Sequence, residues 1–431
     1  MYWWLYNVVF VTGFTLVLPR YLWRMCRRGG YAKGFTQRFA RYDKGVLAKL
    51  ESRKRIWIHA VSVGEVYVAL RFMEVYRAQH SDMAFALTTN TSTGHRIAEA
   101  RLHADDVLLY FPIDLPVFIN KVFARVRPEA LVLTECELWP NLIRLADERG
   151  IPIALLNGRV SDSSYRGYRL CRRLFSNLLQ RFAAVLVQGE QDASRVRDLG
   201  ARPERIHTLG TAKYDVATKD TSKIELIRSV LDAAGFPADA PVLVGGSTWP
   251  GEERALLEVH EHLRDSVENL KLVLVPRHFE RAAEVERELK TAGVSYVKRS
   301  TLEPGKRCEH PADVLLLDST GELVGVYAHA SVIFVGKSLT NHGGQNIIEP
   351  ALFGKPVLFG PNMENFPVVV QDFLDADAAV QVDDQAELEA RAGELLSVPA
   401  AAEALGARAA DLVISKRGCV KRSVEMIGAL L

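Results

Sequence analysis

The sequence predicts an α/β protein of two Rossmann-like units facing an interdomain cleft, preceded by an apolar N-terminal helix. Short apolar runs alternate with helix-compatible stretches of ten or more residues, the rhythm of a parallel sheet covered by helices on both faces. That rhythm lapses over the polar stretch 214–223 and then resumes, which divides the chain in two. The first two dozen residues form an aromatic-rich run, uncharged as far as Leu18, unlike anything after them. A chain of 431 residues is also too long for one ordinary core.

The N-terminal run comes first. Residues 2–18 carry no charge, and extending to 23 adds only Arg20, a length at the short edge of a bilayer span. Trp3, Trp4, Tyr21 and Trp23 bracket it as interfacial aromatics do. No positive charge precedes it and no small-residue cleavage site follows, so it reads as an anchor over 1–24 rather than a cleaved signal. Asn7, Thr12, Gly13 and Thr15 leave open whether it spans or lies in the interface.

A basic block follows. Between Arg20 and Arg55 stand Arg24, Arg27, Arg28, Lys33, Arg38, Arg41, Lys44, Lys49, Arg53 and Lys54 against only Asp43 and Glu51. Such a block favours an anionic membrane surface, and by the positive-inside bias it keeps the remainder of the chain on the cytoplasmic side of the membrane. No helix-turn-helix, RNP or zinc-finger pattern accompanies it, so nucleic acid is not the expected partner. The five cysteines are scattered, without a C-x-x-C pair, and read as reduced thiols. No metal-ligand spacing occurs, and no metal or cofactor is expected.

Strands are expected at 56–61, 84–88, 107–110, 130–134, 152–157 and 184–188 in a first unit covering 25–213. After the linker 214–223, a second unit over 224–410 holds strands at 241–245, 271–275, 314–317, 331–335, 356–359 and 378–380, and 411–431 reads as a terminal helix. In open sheets of this type ligands sit at the carboxyl ends of the strands. In the first unit, the strand ending at Val61 leads through Ser62 to Glu65 at a helix start. A carboxylate there can act as a general base toward a hydroxyl, or can simply complement the helix dipole. Thr89 and Ser92 lie in a hydroxyl-rich turn after the second strand. Glu135 and Glu137 follow the fourth, Glu135 placed to position an acceptor and Glu137 to complete a helix cap, and Arg159 follows the fifth.

The second unit repeats the pattern with phosphate chemistry. Gly246, Ser247 and Thr248 make a strand-to-helix turn, and helix starts offer free N–H groups to anions. Pro276, Arg277 and His278 close the neighbouring strand with a guanidinium suited to phosphate. Ser319, Thr320, Gly321 and Glu322 follow another. The glycine-rich stretch 336–351 places Gly336, Ser338, Gly344 and Asn346 before Glu349, one turn into a helix, where a carboxylate can accept hydrogen bonds from two ribose hydroxyls. It is not a Walker A loop, because Ser331 stands where that motif needs glycine, and no G-x-G-x-x-G occurs.

The strand, glycine loop and Glu-Pro-Ala helix resemble those of two-domain GT-B sugar-nucleotide transferases. In order, HAVSVGE at 59–65, TTNTSTG at 88–94, E-x-E-L-W-P-N at 135–141, VPRH at 275–278, DSTGEL at 318–323 and GGQNIIEPA at 343–351 resemble the 3-deoxy-D-manno-octulosonic acid (Kdo) transferase family. The resemblance runs over essentially the whole chain. It implies a GT-B fold and an inverting transfer of Kdo from CMP-Kdo to the lipid A precursor. Glu65 would deprotonate the acceptor hydroxyl, Arg277 would hold the CMP phosphate, the 319–322 and 338–346 loops the nucleotide, and Glu349 the ribose. No metal is required by that mechanism. The chain departs from the family pattern at Trp249, Lys337 and Gln345. The rival readings are a UDP-sugar transferase or epimerase of the same fold and a non-catalytic lipid A-binding protein.

Overall fold

The computed structural model describes residues 3–28, 34–303 and 305–431. It contains two units, one of residues 1–216 together with 418–431, the other of residues 217–417. The first is built on strands β1 (Arg55–Ala60), β2 (Ala84–Thr89), β3 (Val107–Tyr110), β4 (Pro128–Thr134), β5 (Ile153–Gly158), β6 (Ala184–Val187) and β7 (Ile206–Thr208). The second holds β8 (Val242–Thr248), β9 (Lys271–Pro276), β10 (Tyr296–Lys298), β11 (Val314–Leu316), β12 (Val332–Val335), β13 (Val357–Phe359) and β14 (Val380–Gln381).

Every strand pair is parallel, in the orders β3-β2-β1-β4-β5-β6-β7 and β10-β11-β9-β8-β12-β13-β14. Both orders reverse beside the first strand of the unit, which concentrates strand ends and helix starts next to β1 and β8. The alternating side chains explain the helices on both faces. Trp57, Leu131, Leu133 and Leu155 enter one buried cluster, while Ile56, Ile58, Val132 and Leu156 enter the opposite one, so neither face of the sheet can meet water.

Two strands lie beyond the expected set. Both β7 and β10 have only three residues and are partly exposed edges, too short to show an apolar run. The polar stretch 214–223 is structured as well, holding most of a short helix Lys213–Val216 and the start of the helix Thr221–Ala233, which Asp220 caps. The end of the chain is two helices, Pro399–Ser415 and Cys419–Gly428, separated at Gly418 with φ 101°; the second packs back into the first unit.

The N-terminal run is helical over Trp3–Arg28. One face docks on the first unit: Trp3 lies under the guanidinium groups of Arg144 and Arg181, Tyr6 Oη donates to Asp114 (2.9 Å), and Asn7 accepts from Asn141 Nδ2 (2.7 Å). The other face leaves Trp4, Val9, Leu16 and Val17 at 60% exposure or more. No helix among the described residues is long and apolar enough to cross a membrane. Part of the basic block is also committed internally. Arg38 donates to the Asn90 carbonyl, Lys49 to that of Ala104, and buried Arg55 to those of Lys49 and Asp105. Lys33 lies outside the described residues, as do the side chains of Tyr21, Arg24, Arg27 and Arg28.

Packing in the second unit yields a direct test. A Cβ on Gly406 would lie 2.0 Å from the Gly354 carbonyl oxygen. Alanine normally gains about 1 kcal/mol over glycine inside a helix, but a backbone collision costs roughly 1–3 kcal/mol. Gly406→Ala is therefore expected to lower the denaturation midpoint, whereas a helix-propensity effect alone would raise it.

Candidate active site

In the first unit, β1 runs into the helix Val63–Gln79 through a closed capping box. Ser62 Oγ accepts from the Glu65 N–H (3.2 Å), and the Glu65 carboxylate accepts from the N–H groups of Ser62 and Val61 (3.0 Å each). Glu65 is only 5% exposed. The hydroxyl of buried Thr134, at the end of β4, lies 2.7 Å from Glu65 Oε2 and 2.8 Å from the His59 carbonyl. It has one hydrogen for two acceptors. Pointed at Glu65, that hydrogen adds a third donor to the carboxylate. Turned to His59, it leaves the Thr134 oxygen free to accept a hydrogen bond. Glu65 thus caps a helix and keeps one hydrogen-bond partner that can turn away.

Two more carboxylates share this strand edge. Glu135 occupies a left-handed conformation (φ 49°), and burial, then the charge of Glu65, raises its pKa against the pull of Lys213 and Arg159. Burial and Glu65 likewise push Glu137 up to about 7. Glu137 does not complete a helix cap as expected: the helix Pro140–Asp147 starts at Trp139 without a side-chain cap bond, and Glu137 instead accepts from Trp139 Nε1 (2.9 Å). Its carboxylate is 3.8 Å from His59 Nε2, but burial drives that imidazole down to about 3. The ring is therefore neutral and the contact is not an ion pair. It stacks on Phe111 and meets Thr88 through Nδ1, with Nε2 left unpartnered.

Lys213, which follows the unexpected strand β7, is lowered to about 8 by burial against the opposing charge of Glu135. Cys136 sits among the carboxylates, and burial and their charge push its thiol up to about 12, which keeps it inert at neutral pH. Ser62, Glu65, Glu135 and Arg159 thus belong to the ends of three adjacent strands, β1, β4 and β5. Thr89, at the end of β2, is buried and engaged with His95 Nδ1 (3.0 Å), and Ser92 opens a helix that Thr91 caps. Thr134 and Lys213 are the residues that sequence reasoning missed.

In the second unit, β8 ends in a turn that is packed from both sides. A Cβ on Gly246 would lie 2.6 Å from the hydroxyl of buried Tyr327, Ser247 takes φ 56°, and Thr248 donates to Glu253, which Arg281 holds. The following Glu252, fully buried, accepts from the N–H groups of Trp249, Lys337, Ser338 and Leu339 at 2.8–3.0 Å. This revises the expectation for the 336–338 loop. Its amides hold the protein's own carboxylate, a Cβ on Gly336 would strike Glu252, and Ser338 is buried with its hydroxyl donating to the Val335 carbonyl and accepting from Gly360 N–H. Gly336 and Ser338 are scaffold.

Arg277, by contrast, is exposed beyond Pro276, its side chain without a hydrogen-bond or ion-pair partner among the described residues. Its charge acts on Glu349 and Tyr327. Glu349 is raised chiefly by burial, with Asn346 Nδ2 donating to it at 3.3 Å. Exposed His278 places its ring 5.7 Å from Trp249. Glu322 is bound by Arg299 and by the Ser319 hydroxyl, leaving Thr320 and Gly321 (φ 83°) exposed. Gly344 (φ 65°) packs so tightly on Met363 that a Cβ would meet its sulfur at 2.3 Å. These residues follow β8, β9, β11 and β12, which are neighbours in the sheet.

The raised Glu137 makes stability depend on pH. A carboxyl whose folded pKa, about 7, exceeds its ordinary 4.5 stabilises the fold fully below 4.5, and that contribution is lost as pH rises through 7. Glutamine keeps the acceptor for Trp139 and carries no charge. Glu137→Gln is expected to be more stable than the parent at pH 8 by on the order of 2 kcal/mol, with the difference vanishing at pH 4. Equal unfolding free energies at pH 8 would contradict the placement of that carboxylate.

A sequence model of the family described as 3-deoxy-D-manno-octulosonic-acid transferase (kdotransferase) matches residues 33–216. The chain is 31% identical to 3-deoxy-D-manno-octulosonic acid transferase of Haemophilus influenzae over 413 residues, covering 95% of this chain and 92% of that one. It is 31% identical to the transferase of the same name from Bordetella pertussis, covering 94% of each. In fold it is similar to a glycosyltransferase from Rickettsia africae at a TM-score of 0.61, with 10% identity and coverage of 88% of this chain and 99% of the other. With parallel sheets whose strand ends carry the family's residues in order, and with identity of this extent over nearly the full length, the chain belongs to the 3-deoxy-D-manno-octulosonic-acid transferase family.

Proposed function

We propose that this enzyme transfers Kdo from CMP-Kdo to the lipid A precursor, with inversion at the anomeric carbon and Glu65 as the base. The observation that carries the reading is the Glu65 carboxylate, buried at a strand end, fixed by two backbone N–H groups and backed by Thr134. The acceptor's primary hydroxyl gives its proton to Glu65 as its oxygen bonds the anomeric carbon. The bond from that carbon to the CMP phosphate breaks, and its electron pair leaves on the phosphate. Arg277, which has no hydrogen-bond or ion-pair partner among the described residues, takes up the charge of the phosphate. Glu349 accepts the ribose hydroxyls, and Thr320, Gly321 and Asn346 line the nucleotide. Glu135 and Arg159 orient the acceptor sugar, with Ser62, Thr89 and Ser92 on the same side of the unit.

The exposed apolar face of helix Trp3–Arg28 lies in the interface of the inner membrane, with the catalytic units on the cytoplasmic side. Support comes from the division of its surface: polar side chains dock on the protein while large apolar ones face outward. An interfacial helix needs no full span and leaves Tyr6 on Asp114.

Two tests follow. Glu65→Gln is expected to reduce transfer by about 10²–10⁴-fold, the usual range for a general base, while CMP still binds; undiminished transfer would refute the assignment. Val9→Asp combined with Leu16→Asp is expected to shift the protein from the membrane pellet to the supernatant without loss of transfer to detergent-dispersed acceptor. Unchanged recovery with membranes would reject the interfacial face.

A further inference from the structure

A lysine stands in the glycine-rich loop after β12, at a constrained position. Lys337 adopts φ 60°, a left-handed conformation that side chains rarely take. Its N–H donates to Glu252 (2.8 Å) and its carbonyl accepts from Gly344 N–H (2.9 Å), so the backbone is pinned on both sides. The ammonium stands 4.9 Å from the centroid of the Trp249 ring. Gly343 leaves it room, since a Cβ there would come within 3.2 Å of Nζ.

No carboxylate among the described residues neutralises this ammonium. Glu364, near in the loop, is occupied by His342 and the Gly343 N–H. The indole Nε1 of Trp249 is buried without a hydrogen-bond partner, and its ring also meets that of His278 at 5.7 Å and 69°. The chain thus holds an unneutralised cation, half-buried against an aromatic face, at the end of β12 and beside the turn that follows β8. A strained backbone that persists is the kind of outlier from which function is read. A cation so placed, partly desolvated and restrained, is prepared for an anionic oxygen.

We propose that the Lys337 ammonium, seated on Trp249, is a second cationic contact for the donor beside Arg277, taking an anionic oxygen of an acidic sugar nucleotide. This rests on the reading of the second unit as the donor half. Two groups of that donor carry the required charge, the phosphate and the carboxylate of the transferred sugar.

The test uses the full-length enzyme with Lys337→Met and Lys337→Gly, measuring the KM for CMP-Kdo, the Kd for CMP and the melting temperature. Both variants are expected to raise the KM by about tenfold, the size of one lost charge-assisted contact, and by more than they lower kcat. Lys337→Gly relieves the left-handed strain and is expected to melt no lower than the parent. A Kd for CMP that rises in parallel assigns the contact to the phosphate; an unchanged Kd for CMP assigns it to the sugar carboxylate. Either supports the proposal. An unchanged KM for CMP-Kdo in the glycine variant, with a lowered melting temperature, would overturn it, because the lysine would then only prop the indole. Failure of the parent enzyme to bind CMP would instead remove the donor assignment itself.

Discussion

In both units, the turn leaving the first strand is closed by a buried carboxylate that accepts backbone N–H groups, and the placement of each functional edge depends on that bond. After β1 it is Glu65, held by Val61 and Ser62. After β8 it is Glu252, held by four amides, three of them in a loop more than eighty residues further along the chain. A buried carboxylate without donors would be costly, whereas one with several charge-assisted bonds fixes strand end, helix start and neighbouring loop together. The two differ in what remains. Glu252 is saturated by backbone N–H groups that cannot turn away. One of the three donors to Glu65 is a hydroxyl with an alternative acceptor.

That difference separates scaffold from chemistry. Around Glu65 the chain crowds Glu135, Glu137 and the neutral His59, with Lys213 and Arg159 acting on Glu135. Bringing carboxylates together in a buried strand edge disfavours ionisation of Glu135 and Glu137. In the second unit the balance is reversed. Its carboxylates Glu252, Glu253 and Glu322 are each bound within the fold, while Arg277 and Lys337 remain unneutralised. The first unit gathers carboxylates at its strand edge, while the second presents cations without an ion-pair partner among the described residues.

Much of this was legible in the sequence. Alternating apolar and helical stretches placed the central strands of both sheets, because strands buried on both faces must be continuously apolar. The edge strands β7 and β10 were not legible, being three residues long and half wet. Lys213 was hidden with them, since it follows β7. Glu65, Arg277 and Glu349 could be found because each stands where a strand gives way to a helix. The role of Glu252 could not, because its partners Lys337, Ser338 and Leu339 are distant in the chain, so loop amides that looked ready for an anion were already holding a side chain. Asn7 weakened the reading of an apolar span for a reason visible only in the fold, its bond to Asn141, next to the bond that Tyr6 makes to Asp114.

The most direct measurement of the central claim is chemical rescue. With Glu65→Ala, added formate should restore Kdo transfer in a saturable manner by supplying the missing carboxylate beside Thr134, and the same anion should do nothing for Glu252→Ala, whose defect would be in folding. A folded Glu65→Ala enzyme that transfers Kdo as fast as the parent without formate would contradict the account.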